Sequence, residues 1–214
     1  MNKREAVRAM NRIYQLKITL NDSSPRIWRR IQVPENYTFF DLHVAIQDAM
    51  GWTDSHLHAF YIAQKGATQH TTIRYPDPEV GIFNDPYLDE RKEKISAYFG
   101  KIIKQCVYEY DFGDSWNHVV LFERELPVEP RAKYPLCVVG ENACPPEDCG
   151  GVGGYERLQK IIKSPKHSEH KETLEWVGVE SGDKFDPVDF NPQDVYFENP
   201  KKRLREYRKG FGVW

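Results

Sequence analysis

Three cysteines fall within thirteen residues of this chain, in Cys137-x6-Cys144-Pro145-Pro146-Glu147-Asp148-Cys149-Gly150-Gly151. Thiolates on irregular chain can converge on a tetrahedral ion, which is what a zinc site requires. The Cys144–Cys149 spacing is loose for such a site, and no second close pair follows, so further ligands must come from elsewhere. Asp54-Ser55-His56-Leu57-His58 offers two. On a strand, alternate residues share a face, which puts these imidazoles about 7 Å apart and able to hold one ion. The expected ligand set is therefore Cys137, Cys144, Cys149, His56 and His58, with zinc as the metal and His118 as another source of a ligand. The plainer alternative makes the cysteines small buried hydrophobes. The histidines would then hydrogen-bond at the rim of a core face that Phe60 and Ile62 continue.

Carboxylates stand near these residues in sequence. Tyr110-Asp111-Phe112-Gly113-Asp114 has two acids at the tip of an expected hairpin. Asp114 reads as turn chemistry, an Asp side chain bonding the backbone that a glycine bends. Asp111 and Glu147 are the candidate general bases for a metal-activated water. The glycine run Gly150-Gly151-Val152-Gly153-Gly154 opens an expected helix and is a weak anion-binding signal; without a following Lys-Ser or Lys-Thr it is not a P-loop. A different chemistry is offered by Arg26, Trp28, Arg29 and Arg30, since guanidinium and indole together suit phosphate contact and base stacking. There is no G-x-S-x-G, no H-E-x-x-H and no dinucleotide fingerprint, so no named enzyme class follows from motifs.

The elements that must position these residues follow from periodicity. Tyr14, Leu16, Ile18 and Leu20 alternate along one expected strand, and Arg26 to Val33 forms a second, with Asn21-Asp22-Ser23-Ser24-Pro25 as the turn. Thr38 and Asp41 spell a capping box ahead of a helix carrying Leu42, Ile46, Ala49 and Met50, and Gly51 ends it. A strand is expected over His56–Ile62, a long loop over 64–94, and two strands over Lys101–Phe112 and Trp116–Leu126 joined through Gly113-Asp114. Residues 127–154 hold five Pro and five Gly and read as irregular. Helices are expected over Tyr155–Lys163 and Glu169–Val177, and a last one around Val195–Arg208, interrupted by Asn199-Pro200. Hairpins followed by helices predict an α+β fold: an antiparallel β-sheet built from hairpins with helices packed on one side.

Composition bounds the rest. The 214 residues carry a formal net charge of −2, with 40% hydrophobic and 29% charged, which fits a globular chain and supplies no global field toward nucleic acid. Charge is uneven, however. The first third is basic, the stretch Glu169 to Asp194 is acidic, and Lys201, Lys202, Arg203, Arg205, Arg208 and Lys209 make a basic end. No run of about 18 apolar residues exists, so no membrane span is expected. The start lacks the apolar stretch of a secretory signal, which points to a cytoplasmic protein whose thiols stay reduced.

Pro25-x-Ile27-Trp28-Arg29-Arg30, Gly51-Trp52, His56-Leu57-His58-x-Phe60, Tyr110-Asp111-Phe112-Gly113-Asp114 and Cys144-Pro145-Pro146-Glu147-Asp148-Cys149-Gly150-Gly151 occur in that order. Together they resemble the plasmid pRiA4b open-reading-frame-three-like family, from about Ile13 to about Asp194. The resemblance implies one α+β domain and an association with mobile genetic elements, and it implies no particular activity. On this reading residues 1–11 are an N-terminal extension, 12–198 the domain and 199–214 a basic tail. Two functions follow as expectations. The first is a binding or adaptor module that contacts nucleic acid through Arg26, Trp28, Arg29 and Arg30. The second is a zinc-dependent hydrolase or structural zinc site. With no recognisable nucleophile or complete ligand set, the sequence favours the first.

Overall fold

The structure, a computed structural model, describes residues 12–63, 66, 69–76, 86–178 and 186–210. The expected N-terminal extension, residues 1–11, lies outside them. β1 (Arg12–Leu20) and β2 (Trp28–Pro34) pair antiparallel from Thr19↔Trp28 to Ile13↔Pro34. Alternation does what the sequence pattern requires: Tyr14, Leu16, Ile18 and Leu20 are buried, as are Ile31 and Val33 of the partner strand. α1 (Phe39–Met50) follows. Thr38 Oγ1 accepts from the Asp41 N–H, Asp41 Oδ2 accepts from the Thr38 N–H, and Gly51 closes the helix at φ 90°. Only glycine adopts that left-handed turn without strain.

The remaining strands are β3 (His58–Ala63), β4 (His70–Arg74), β5 (Tyr87–Asp89), β6 (Gln105–Tyr110), β7 (Trp116–Pro127) and β8 (Leu136–Glu141). All eight form one sheet in the order β5-β4-β3-β6-β7-β1-β2-β8. The sheet is mixed rather than purely antiparallel, because β4 and β5 run parallel from Thr72↔Tyr87 to Arg74↔Asp89. Both lie in the stretch expected to be loop. β4 is half exposed and β5 only three residues long, so neither leaves a clear period. β8 likewise sits inside the Pro/Gly-rich stretch, as an edge strand with Val138 and Val139 exposed. β3 starts at His58 rather than His56, since Asp54 takes a positive φ of 62° and the chain is still turning there.

α2 (Gly151–Ile162) and α3 (His170–Trp176) stand close to the expected positions. α2 begins inside the glycine run. A Cβ on Gly151 would sit 2.5 Å from the Asp114 carbonyl oxygen, and one on Gly154 would collide with the Cys149 carbonyl, so these glycines permit close packing. α4 (Pro200–Gly210) starts at Asn199-Pro200 rather than being broken by it. Asn199 Oδ1 accepts from the Lys201 N–H at 2.9 Å, and proline belongs in a first helical turn. The expected tail is therefore helical as far as Gly210, and its Leu204 and Tyr207 pack against Phe40, Val44 and Tyr75. The main core lies between the inward face of the sheet and α1, with Leu16, Ile18, Phe60, Tyr108 and Val120 meeting Phe39, Leu42 and Ile46. Among the described residues no helix is long and apolar enough to cross a membrane.

Candidate functional site

Residues 52–58, between α1 and β3, are held from two sides. The buried Trp52 indole donates to the Pro145 carbonyl at 3.0 Å, and the Leu57 carbonyl accepts from the Asp111 N–H at 2.9 Å. Glu147 accepts from the Thr53 N–H at 3.0 Å, from the hydroxyls of Thr53 and Ser55, and from the Tyr110 hydroxyl. Asp114 Oδ2 accepts from the Gly150 N–H at 3.0 Å, which pins the far end of the same loop. Three segments distant in sequence are thereby stitched together: 52–58, the β6–β7 turn and the loop before α2.

At their junction stands His56. Its Nε2 is 3.1 Å from Asp148 Oδ1 and 3.7 Å from Asp111 Oδ2; the ring is 29% exposed, but this nitrogen is itself buried and makes a hydrogen bond to neither. One ligand atom from each of these three residues lies within 4.8 Å of the others. Asp111 does two jobs. Its Oδ1 accepts from the Gly113 and Asp114 N–H groups and so shapes the turn, while Oδ2 is left facing His56. The Tyr110 ring walls the site edge-on to His56, with ring centroids 5.8 Å apart. Asp148 is 68% exposed on the opposite side, so the cluster opens to solvent. It also lines a groove of about 690 Å³ between α2 and α3, together with Cys149, Arg157, Glu169 and Trp176.

The other expected site residues are distributed differently. His58 points inward, where its Nε2 lies 2.8 Å from Glu90 Oε2; it does not share an ion site with His56 as strand alternation suggested. Cys137, Cys144 and Cys149 are free thiols, and no cysteine belongs to a ligand-type group of three among the described residues. Burial pushes the Cys149 thiol up to about 12 and raises Cys137 and Cys144 as well, so all three are protonated at neutral pH. Glu147, with four donors on its carboxylate, holds the loop in place. His118 is buried in β7 near Tyr108 and Trp52, and burial lowers it to about 4.

The arginine cluster is largely turned to structural use. Arg29 is 1% exposed and donates to the carbonyls of Ala49, Trp28 and Glu141, with its guanidinium 3.5 Å from the centre of the Phe190 ring. Arg30 forks onto Glu123 with two bonds of 2.7 Å. Lys17 and Arg30 lie over the Trp28 ring, whose Nε1 donates to Glu141, and only Arg26 is exposed.

Sequence reasoning did not single out Asp148 as a ligand, although it lies in the quoted Cys144–Gly151 string. It also missed His43, Asp54 and Glu90, which surround His58. The signal for His43 was present: it sits four residues after Phe39 and three before Ile46, on the buried stripe of α1.

Residues 12–194 match the family described as Plasmid pRiA4b ORF-3-like protein. An uncharacterized protein, y4hQ, from Sinorhizobium fredii (strain NBRC 101917 / NGR234) is 37% identical over 166 residues, 78% of this chain and 81% of that protein. Among solved structures, a protein of unknown function, MM3350 from Methanosarcina mazei Go1, aligns with a TM-score of 0.77 at 42% identity. That alignment covers 87% of this chain and 99% of the other.

Proposed function

The chain belongs to the plasmid pRiA4b ORF-3-like family, and within it we propose that this protein is a divalent-cation-dependent hydrolase whose site is His56, Asp111 and Asp148. One observation carries the reading: a buried imidazole nitrogen, without a hydrogen-bond partner among the described residues, faces oxygens of two carboxylates at an opening to solvent. One imidazole and two carboxylates are a ligand set for zinc or another first-row dication. His56, Asp111 and Asp148 would hold such a cation with one side open, and when bound it would supply an acidified, more nucleophilic water. The protein's part is placement. Asp111 is fixed by its turn, and Asp148 by Glu147 and Gly150 on either side of it. The groove between α2 and α3 begins at Asp148 and gives a substrate somewhere to lie.

Zinc remains the proposed metal, held by these three residues in place of the cysteines. The alternative of a nucleic-acid-binding adaptor draws its support from Arg26 and the basic faces of Trp28, and loses much of it with Arg29 and Arg30 engaged internally. Metal content and hydrolysis of p-nitrophenyl phosphate and ester probes test the proposal. Wild-type protein is expected to hold an exchangeable cation and to turn over one of these probes. His56→Ala and Asp111→Asn should each lower turnover by at least about a hundredfold, with the fold intact. Turnover equal in wild type and His56→Ala would end the hydrolase reading.

A further inference from the structure

A second constellation lies behind the first, on the inner side of the same segment. The His43 and His58 rings are stacked 3.4 Å apart and within 3° of parallel, one from α1 and one from β3. One ligand atom of each, together with a carboxylate oxygen of Asp54, falls within a 4.8 Å set. His43 Nε2 is 2.8 Å from Asp54 Oδ1, and His58 Nε2 is 2.8 Å from Glu90 Oε2. The side chains of all four residues are 0–2% exposed. α4 closes the site: the Tyr207 hydroxyl donates to Asp54 Oδ1 at 2.5 Å, and Arg203 Nη1 donates to Asp54 Oδ2 at 2.9 Å.

A hydrogen-bonded pair of neutral histidines would account for part of this, but three features remain. Glu90 is fully buried, yet among the described residues its Oε1 has no hydrogen-bond partner, a position that costs a carboxylate dearly in a dry interior. The guanidinium of Arg203 is already divided among Asp48, Asp54 and Glu198. The far nitrogen of His43 is braced by the Tyr108 hydroxyl at 2.8 Å, which in turn accepts from Gln47 at 2.9 Å. That outer bracing is how metal-binding imidazoles are held in orientation.

We propose that His43, Asp54 and His58, with Glu90 beside them, are a second metal centre, sealed beneath α4 and suited to a zinc-class dication. Two imidazoles and a carboxylate select such an ion over magnesium or calcium, which prefer all-oxygen shells. The centre is structural, because its side chains are 0–2% exposed and leave a substrate no approach among the described residues. It joins α1, the 52–58 segment and β3, and so sets the orientation of the segment that also presents His56 outward. The inference does not rest on the hydrolase proposal, since the two sites share no ligand.

The test uses the full chain with the open site removed, Asp111→Asn/Asp148→Asn, expressed in zinc-supplemented medium and passed over chelating resin before elemental analysis. About one zinc per chain is expected to survive the resin. Adding His58→Gln should abolish it, and adding Glu90→Gln should raise the rate of zinc loss to a strong chelator by at least about tenfold. Absence of retained zinc, or zinc retained equally with His58→Gln, overturns the proposal. If His58→Gln does not fold, Glu90→Gln decides, and an unchanged loss rate overturns it. Wild-type protein carrying no more exchangeable metal than the double variant would count against the open site alone.

Discussion

Glu147 shows how a residue's chemistry is decided by what already occupies its lone pairs. Sequence alone makes it a candidate base beside three cysteines. In the fold its two oxygens accept from the Thr53 N–H and from the hydroxyls of Thr53, Ser55 and Tyr110. A carboxylate so engaged acts as a clamp between the 52–58 segment and the loop before α2. Glu147→Ala is therefore expected to destabilise the protein by about 1–3 kcal/mol, because it strands the partners it satisfied. Urea denaturation measures this, and metal affinity at the open site should fall with it as Asp148 loses its anchor. Unchanged stability with lost turnover would instead return Glu147 to the role of general base. The contrast with Asp111 and His56 marks the limit of reading a site from sequence. Both were legible as chemistry-bearing residues, and Asp148 lay in a conspicuous string. What joins them is three loops meeting across more than ninety positions of chain, each turn set by a positive φ at Asp54, Asp111 or Asp148. Spacing along the chain carries no trace of such a junction.

Among the elements, those with their own local grammar were legible. The Thr38–Asp41 capping box and Gly51 bound α1 in sequence and in structure alike, alternation marked β1, and the Gly113-Asp114 turn marked the start of β7. β4, β5 and β8 were not legible, because a half-exposed or edge strand has no buried face to impose a period of two. α4 was misjudged for a different reason. Its charge suggests a solvated tail, while three of its residues, Arg203, Leu204 and Tyr207, fasten it to Asp54, Phe40, Val44 and Tyr75. The Asp48 carboxylate takes part from α1, accepting from the Glu198 N–H and from Arg203. Leu204→Ala should thus lower stability by about 2 kcal/mol despite the helix's charged composition. Protection of α4 amides from hydrogen exchange should fall before that of the central strands. Protection in α4 that matches wild type in Leu204→Ala protein would mean that the helix is not held by this packing.

At the scale of the whole molecule, the buried histidines make folding sensitive to mild acid. His118 is fully buried in β7, and desolvation lowers it from 6.5 to about 4, with the Tyr108 and Trp116 carbonyls only partly opposing the shift. His43 is lowered by burial as well. Between those values the unfolded chain binds protons that the folded chain refuses, so stability is complete above about pH 6.5 and falls as pH drops toward 4. A shift of this size is worth about 3 kcal/mol for His118 alone. Asp54 acts lower down. Its folded value is depressed, so its contribution is present above the unfolded carboxylate value near 4 and is lost only as pH falls further. Acid unfolding should accordingly begin in the histidine range and steepen in the carboxylate range. Urea midpoints at pH 7.5 and pH 4.5, taken on protein unfolded and refolded in chelator so that no metal is bound, separate the terms. His118→Leu gives up a 3.3 Å bond to the Tyr108 carbonyl and should be less stable than wild type at pH 7.5. It should nevertheless lose about 2–3 kcal/mol less on going to pH 4.5. Equal losses in the two proteins would show that His118 takes up its proton in the folded state as readily as in the unfolded one, and the acid sensitivity would then belong to His43 and the carboxylates around it.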